Sequence, residues 1–199
     1  MRMGNRSKRV IIASNNKHKI EEIKEIIGDY FEEVLSLKEA GISVDVEENG
    51  ATFEENAFIK AKAIFDMTHE AVIADDSGLE VYALTGAPGV FSARYAGEHG
   101  NDDKNNQKLL EELKNVPEEK RGARFVCSIV LLTADGKRIN AMGYVEGRIG
   151  YDKKGSNGFG YDPLFIVPEY NKTFAELLSV EKNAISHRSM ALNDLKNKL

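Results

Sequence analysis

Apolar residues in this chain fall into short runs and helical stripes, separated by polar clusters rich in Asp, Asn, Ser and Gly. An apolar run over residues 10–13 predicts a buried first strand. It leads into Ser14, Asn15, Asn16, Lys17, His18 and Lys19. Beyond that loop Ile20, Ile23, Ile26 and Ile27 share one helical face, and Gly28 stands as a C-terminal cap. Thr52-Phe53-Glu54-Glu55 reads as a capping box opening a second helix, with Phe53, Ala57, Phe58, Ala61, Ile64 and Phe65 on its apolar side. Residues 71–74 predict another buried strand, with Asp75-Asp76-Ser77-Gly78 at its end. Asn101 or Asp102 is placed to cap a third helix carrying Leu109, Leu110 and Leu113. Residues 123–134 and 138–149 flank Asp135-Gly136, a strong hairpin signal. A glycine-rich loop over 155–162 precedes a strand at 164–167, and Ser186 is placed to cap a last helix through Leu192 and Leu195. Strands and helices are mixed and one hairpin is antiparallel, so the expectation is an α/β fold with a mixed β-sheet and flanking helices.

Composition narrows the function classes. The 199 residues are enough for a sizeable core without disulfides or a structural metal. Lys+Arg 27 against Asp+Glu 32 leaves a net charge of −5, which argues against a nucleic-acid partner but allows a small anion at one local site. Cys127 is the one cysteine, which rules out an internal disulfide framework and a multi-cysteine zinc site. Lying in an apolar run, it reads as a buried thiol in a reducing, cytoplasmic setting. No apolar stretch approaches the ~20 residues of a membrane span, so no membrane partner is expected. Residues 1–8 read as a disordered tail and residues 9–199 as one domain.

Four segments carry candidate chemistry. Residues Ser14 to Lys19 join a buried strand to a helix start, where free N–H groups and the positive dipole end collect, a setting that suits phosphate. Taken alone, the segment is better read as ordinary capping with lysines on a solvated face, and the loop lacks the Walker pattern. Adjacent Asp75 and Asp76 at a strand end suit Mg²⁺, which prefers oxygen ligands and arrives with phosphates. A simple turn uses the same residue types. Glu47 and Glu48 form an acidic loop whose function depends on that Asp pair lying nearby. In Gly158-Phe159-Gly160-Tyr161-Asp162-Pro163, permissive glycines beside aromatics suit stacking on a flat heterocycle, or a loop folding its rings back onto the core. Ser186-His187-Arg188 places cationic groups at a helix start, against the dipole, a cost that an anionic ligand would offset. Together the four segments outline a nucleoside-triphosphate site.

With these segments in order, the chain resembles the inosine triphosphate pyrophosphatase family, the XTP/dITP diphosphatases. The resemblance runs from about Val10 to the C-terminal helix. Its motifs are Ser14-Asn15-Asn16-Lys17-His18-Lys19, Glu47-Glu48-Asn49-Gly50-Ala51-Thr52-Phe53, Ala74-Asp75-Asp76-Ser77-Gly78-Leu79, Gly86-Ala87-Pro88-Gly89-Val90-Phe91-Ser92-Ala93-Arg94-Tyr95, Gly158-Phe159-Gly160-Tyr161-Asp162-Pro163 and Ser186-His187-Arg188. It implies an elongated two-lobed fold with the active-site cleft between the lobes, a homodimer, and Mg²⁺-dependent hydrolysis of ITP, dITP and XTP to monophosphate and pyrophosphate. It further implies that Ser14, Asn15, Asn16, Lys17, His18 and Lys19 hold the phosphates and that Lys60 faces them. Glu48 and Asp76 bind the metal in that picture, with Asp76 also the general base. Ser77 touches the substrate, while Phe159, Gly160, Tyr161, Asp162, Lys182, His187 and Arg188 enclose base and sugar.

Two alternatives are weighed against this. Maf-like pyrophosphatases begin with a Ser-Pro-Arg-Arg type of loop, unlike Ser14-Asn15-Asn16-Lys17 here. A nucleotide sensor without turnover does not need the water-activating carboxylate that Asp76 supplies.

Overall fold

In a computed structural model of the chain, residues 7–199 are described. The strands are β1 (Ser7–Ile12), β2 (Phe31–Ser36), β3 (Ala71–Val81), β4 (Gly122–Leu132), β5 (Arg138–Ile149), β6 (Phe165–Val167) and β7 (Lys172–Thr173). The α-helices are α1 (Lys17–Ile27), α2 (Phe53–Thr68), α3 (Asp102–Glu112), α4 (Ser179–Ile185) and α5 (His187–Lys198). The seven strands form one sheet in the order β2-β1-β3-β4-β5-β6-β7. β1 pairs in parallel with β2 and β3, whereas β6 is antiparallel to both β5 and β7. β4 and β5 are joined by the tight Asp135-Gly136 turn, closed by Thr133 N to Lys137 O at 2.9 Å, which only an antiparallel pair permits. The expected mixed sheet with flanking helices is present.

The chain forms two compact units. One comprises the chain up to Asp76, Cys127–Gly143 and Arg188–Leu199; the other comprises Ser77–Val126 and Tyr144–His187. In the first unit, strand alternation sorts the core onto two faces. Val10, Ile12, Ala71 and Ile73 pack with Ile23 and Ile27 of α1 and with Leu192 and Leu195 of α5. Ile11, Ala13, Val72 and Ala74 pack with Ala57, Ala61 and Ile64 of α2. In the second unit, Leu79, Leu109, Phe125, Phe165 and Phe174 form a separate core, in which the Phe125 and Phe165 ring centroids lie 4.7 Å apart.

Several expectations change in detail. β1 starts at Ser7, in register with Phe31, so the expected tail loses its last two residues, and residues 1–6 lie outside the described residues. β3 does not end at Ala74. It runs on through Asp75-Asp76-Ser77-Gly78, because its place between β1 and β4 overrides the poor strand propensity of those residues. Thr52 caps α2 through its side chain, but Glu55 reaches back to Ala51 N at 2.7 Å, so the capping box is only half formed. Gly28 caps α1 with right-handed φ of −54°, and its need is steric: a Cβ there would meet Lys24 O at 2.8 Å. β2, β7 and α4 had no clear signal. Among the described residues no helix is long and apolar enough to cross a membrane.

Cys127 lies within β4, fully buried, and burial pushes its thiol up to about 12. The native protein should therefore resist a water-soluble disulfide reagent, with one thiol appearing only on unfolding in denaturant. Rapid stoichiometric labelling under native conditions would contradict this placement.

Candidate active site

The first unit gathers cations and carboxylates around the centre of β3. Alternation along the strand turns Asp75 and Asp76 to opposite sides, so the neighbours take different partners. Asp75 is fully buried. Its Oδ2 lies 3.1 Å from Lys19 Nζ and accepts from Arg188 Nε at 3.2 Å and Nη2 at 3.1 Å. Its Oδ1 is buried and has no hydrogen-bond partner among the described residues. Arg188 Nη1 donates to Glu22 of α1, which completes the buried network. Asp76, 6% exposed, accepts from Asn56 Nδ2 through Oδ2 at 3.0 Å and faces Lys60 Nζ through Oδ1 at 3.8 Å. Lys60 also donates to Glu48 Oε1 at 2.8 Å, so one ammonium lies between two carboxylates.

Electrostatics separate the two aspartates. Burial pushes Asp75 up, but Lys19, Arg188 and Lys60 overrule it and hold it well below the ordinary carboxylate range. Burial also pushes Asp76 up, and there Lys60 and Lys19 only partly offset it, so Asp76 ends above its ordinary value. Burial acts to neutralise Lys60, yet Asp76, Asp75 and Glu48 together raise its pKa and keep it charged.

The loop after β1 leads into the start of α1. Asn16 caps the helix, its Oδ1 accepting from Lys19 N at 3.2 Å, and Ser14 Oγ accepts from Asn16 N at 3.2 Å. Asn15 Nδ2 donates to Val44 O at 3.4 Å. Lys17 and His18 are exposed in the first turn, which holds no acidic residue to compete for an anion.

The second unit carries the aromatic loop. Asp162 is buried and its Oδ2 accepts from Phe159 N at 2.9 Å and from Lys182 Nζ at 2.7 Å. A Cβ at Gly158 would stand 2.0 Å from that oxygen, so glycine is required for so close an approach. The Lys182 ammonium lies 4.8 Å from the centroid of the half-buried Phe159 ring, a cation–π contact. Gly160 is held at both ends, its N donating to Asp102 at 2.7 Å and its O accepting from Asn106 Nδ2 at 2.8 Å. Tyr161 is buried, and its hydroxyl donates to Ser92 O at 2.9 Å. Ser92 Oγ in turn accepts from Leu79 N at 2.9 Å, which ties the Gly89–Arg94 segment to β3. His187 stacks on Phe125, with centroids 4.8 Å apart and planes 11° apart. Ser77, half-buried, follows Asp76 on β3.

The expected residues thus divide. Ser14 to Lys19, Glu48, Lys60, Asp76 and Arg188 belong to the first unit; Ser77, Phe159 to Asp162, Lys182 and His187 belong to the second. Arg188, expected beside base and sugar, is 1% exposed and has the contacts of a counter-ion to Asp75 and Glu22. Tyr161 is likewise a core residue with its hydroxyl engaged. Sequence reasoning missed Asn56 and the counter-ion role of Asp75. Asn56 did leave a signal, a polar residue three positions after Phe53 and four before Lys60, on the face that α2 buries.

The chain is similar to known proteins over nearly its whole length. The model of the Ham1 family matches residues 10–198. The dITP/XTP pyrophosphatase of Clostridium perfringens is 59% identical over 198 residues, covering 96% of this chain and 97% of that protein. The protein of the same name from Haemophilus influenzae is 49% identical over 193 residues, covering 96% and 98%. Among solved structures, the Staphylococcus aureus Ham1 protein superposes with a TM-score of 0.87 at 47% identity, covering 96% of this chain and 97% of that one. The nucleoside-triphosphatase / dITP/XTP pyrophosphatase of Mycobacterium abscessus gives 0.78 at 42%, covering 94% and 98%. Agreement of sequence and fold over nearly the whole length places the chain where its six motifs pointed: it belongs to the Ham1 family.

Proposed function

We propose that this chain is a nucleoside-triphosphate pyrophosphatase that removes dITP, XTP and ITP from the nucleotide pool, releasing the monophosphate and pyrophosphate. The observation that carries the chemistry is the divergence of two adjacent carboxylates. Their side chains leave the strand on opposite faces and meet different partners, so they take different roles. Asp75, held ionised by Lys19 and Arg188, anchors the cations. Asp76, held by Asn56 on one oxygen and facing Lys60 with the other, accepts the proton of the attacking water. The water oxygen forms a bond to the α-phosphorus, the bond from that phosphorus to the pyrophosphate oxygen breaks, and the electron pair leaves with pyrophosphate. Lys19 and Lys60 offset the charge on the phosphates, and the N–H groups of the first α1 turn add donors.

A divalent cation fits the residues present. Glu48 and Asp76 bring two carboxylates, the hard oxygen donors such an ion prefers, to one ammonium at Lys60. No group of three metal-ligating side chains is preassembled among the described residues. Mg²⁺ needs none, since it binds through one or two carboxylates and takes further oxygens from substrate phosphate and water. Glu48 and Asp76 are the proposed ligands; when bound, the ion neutralises phosphate charge. The resemblance further supports a homodimer, which sedimentation would test.

For the base, a 6-oxo acceptor with an N1–H donor distinguishes inosine and xanthine from adenine, and a site built for one pattern leaves polar groups unpaired with the other. Phe159 is the proposed stacking platform. Phe159→Ala should raise KM roughly 5- to 150-fold, the worth of ~1–3 kcal/mol of base stacking, with kcat nearly kept. An unchanged KM with a lowered melting temperature would make Phe159 a packing residue only. The function itself is tested by pyrophosphate release from dITP, XTP, ITP, GTP and ATP side by side with Mg²⁺. Tight nucleotide binding without release, or equal turnover of ATP, would overturn it.

A further inference from the structure

We propose that Asn56 is a positioning residue for hydrolysis: it fixes the orientation of the Asp76 carboxylate and couples it to the loop that carries Glu48. Asn56 is fully buried on α2 and both ends of its amide are engaged. Its Oδ1 accepts from Gly50 N at 2.8 Å, and its Nδ2 donates to Asp76 Oδ2 at 3.0 Å. The backbone donor settles which end is oxygen, because a backbone N–H cannot pair with the amide NH₂. The NH₂ must therefore point at Asp76, and it takes Oδ2. Oδ1 is then the oxygen on the Lys60 side.

The other end of the same amide holds the acidic loop. Gly50 lies two residues beyond Glu48, and Glu48 meets Asp76 again through Lys60. One planar amide and one ammonium thus bridge the same two segments, the Glu48–Gly50 loop and β3. The approach is tight by construction: a Cβ on Gly50 would stand 2.8 Å from Asn56 Oδ1 and 2.8 Å from Glu55 Cβ. A polar side chain spanning two backbone segments in a buried position is costly unless fully paired. Here the pairing aims one carboxylate, and a base displaced by about 1 Å can lose roughly 10²-fold in rate.

This rests on the proposed reaction, so the wild type is assayed first for pyrophosphate release from dITP with Mg²⁺; failure there removes the proposed reaction and, with it, this role for Asn56. In a wild type that turns over, three variants isolate Asn56. Asn56→Ala removes both contacts. Asn56→Asp keeps an acceptor for Gly50 N but loses the donor to Asp76. Gly50→Ala displaces Asn56 from the other side. The expected result is kcat lowered about 10²-fold in Asn56→Ala and Asn56→Asp, with KM and the affinity for product monophosphate within about threefold. Gly50→Ala should lower kcat too, and the Gly50→Ala/Asn56→Ala double variant should be no slower than Asn56→Ala, since both act through one amide. Four outcomes overturn the proposal: kcat kept in Asn56→Asp, a fall confined to Asn56→Asp that marks charge repulsion, a loss carried by KM, or failure of both Asn56 variants to fold.

Discussion

Asp76→Asn should lower turnover of dITP by at least ~10²-fold, the low end of lost general-base help, while nucleotide still binds. The substitution keeps size and shape in the strand, so the core around β3 should stand. What it removes is the negative charge that faces Lys60 and accepts from Asn56. An amide cannot take the proton of water, and it is a poorer ligand for a hard cation. Lys19 and Lys60 remain in place, so affinity for the monophosphate product should change little. The same chemistry decides where the water oxygen ends. In ¹⁸O-water the label should appear in the monophosphate and be absent from pyrophosphate. Near-normal turnover would remove Asp76 as the base, and label in pyrophosphate would move the attack to the β-phosphorus.

Arg188→Met should destabilise the protein by about 3–5 kcal/mol, because it takes two charge-assisted hydrogen bonds from a buried carboxylate, leaving it Lys19, and strips Glu22 of the same partner. The Arg188 side chain is 1% exposed and the Asp75 side chain 0%, so water cannot replace the lost contacts. For a chain of this size ~2–4 °C of melting temperature accompanies each kcal/mol, which makes a drop of roughly 6–20 °C. Replacing Asp75 by Asn in the same variant should recover part of the loss, since the buried charge left with Lys19 alone disappears. pH gives an independent reading. Asp75 is lowered in the folded state, so its stabilising contribution is complete above its unfolded pKa of 3.8 and drains away as pH falls toward the lower native value. Wild-type stability should therefore fall on the acid side of about pH 4, and the fall should be shallower in Arg188→Met. A variant that melts within a few degrees of wild type, with the same acid slope, would mean that Arg188 and Asp75 contribute no net stability.

The parts of the fold that were legible in the sequence are those set by local rules. The residue 10–13 run, the isoleucine face of α1, the Thr52 cap and the Asp135-Gly136 hairpin each follow from periodicity or turn chemistry within a few residues. The short motifs also marked the segments proposed to carry chemistry, since glycines beside aromatics and paired aspartates have few ordinary uses together. β2, β7 and α4 were not legible, because short elements carry too few periods to show a pattern.

Sequence by itself thus determined which residues carry charge, which can cap, and which family the chain belongs to. Tertiary structure alone decided how the two adjacent aspartates differ. Asp75 and Asp76 are chemically identical neighbours on one strand, and nothing local tells them apart. Pairing of β3 between β1 and β4 keeps the strand extended and sends their side chains to opposite faces. One then meets Lys19 from α1 and Arg188 from α5, 113 residues away in the chain; the other meets Asn56 and Lys60 from α2. Burial raises both; Lys19 and Arg188 overrule it at Asp75, whereas Lys60 and Lys19 fall short of it at Asp76, so the two pKa values move in opposite directions.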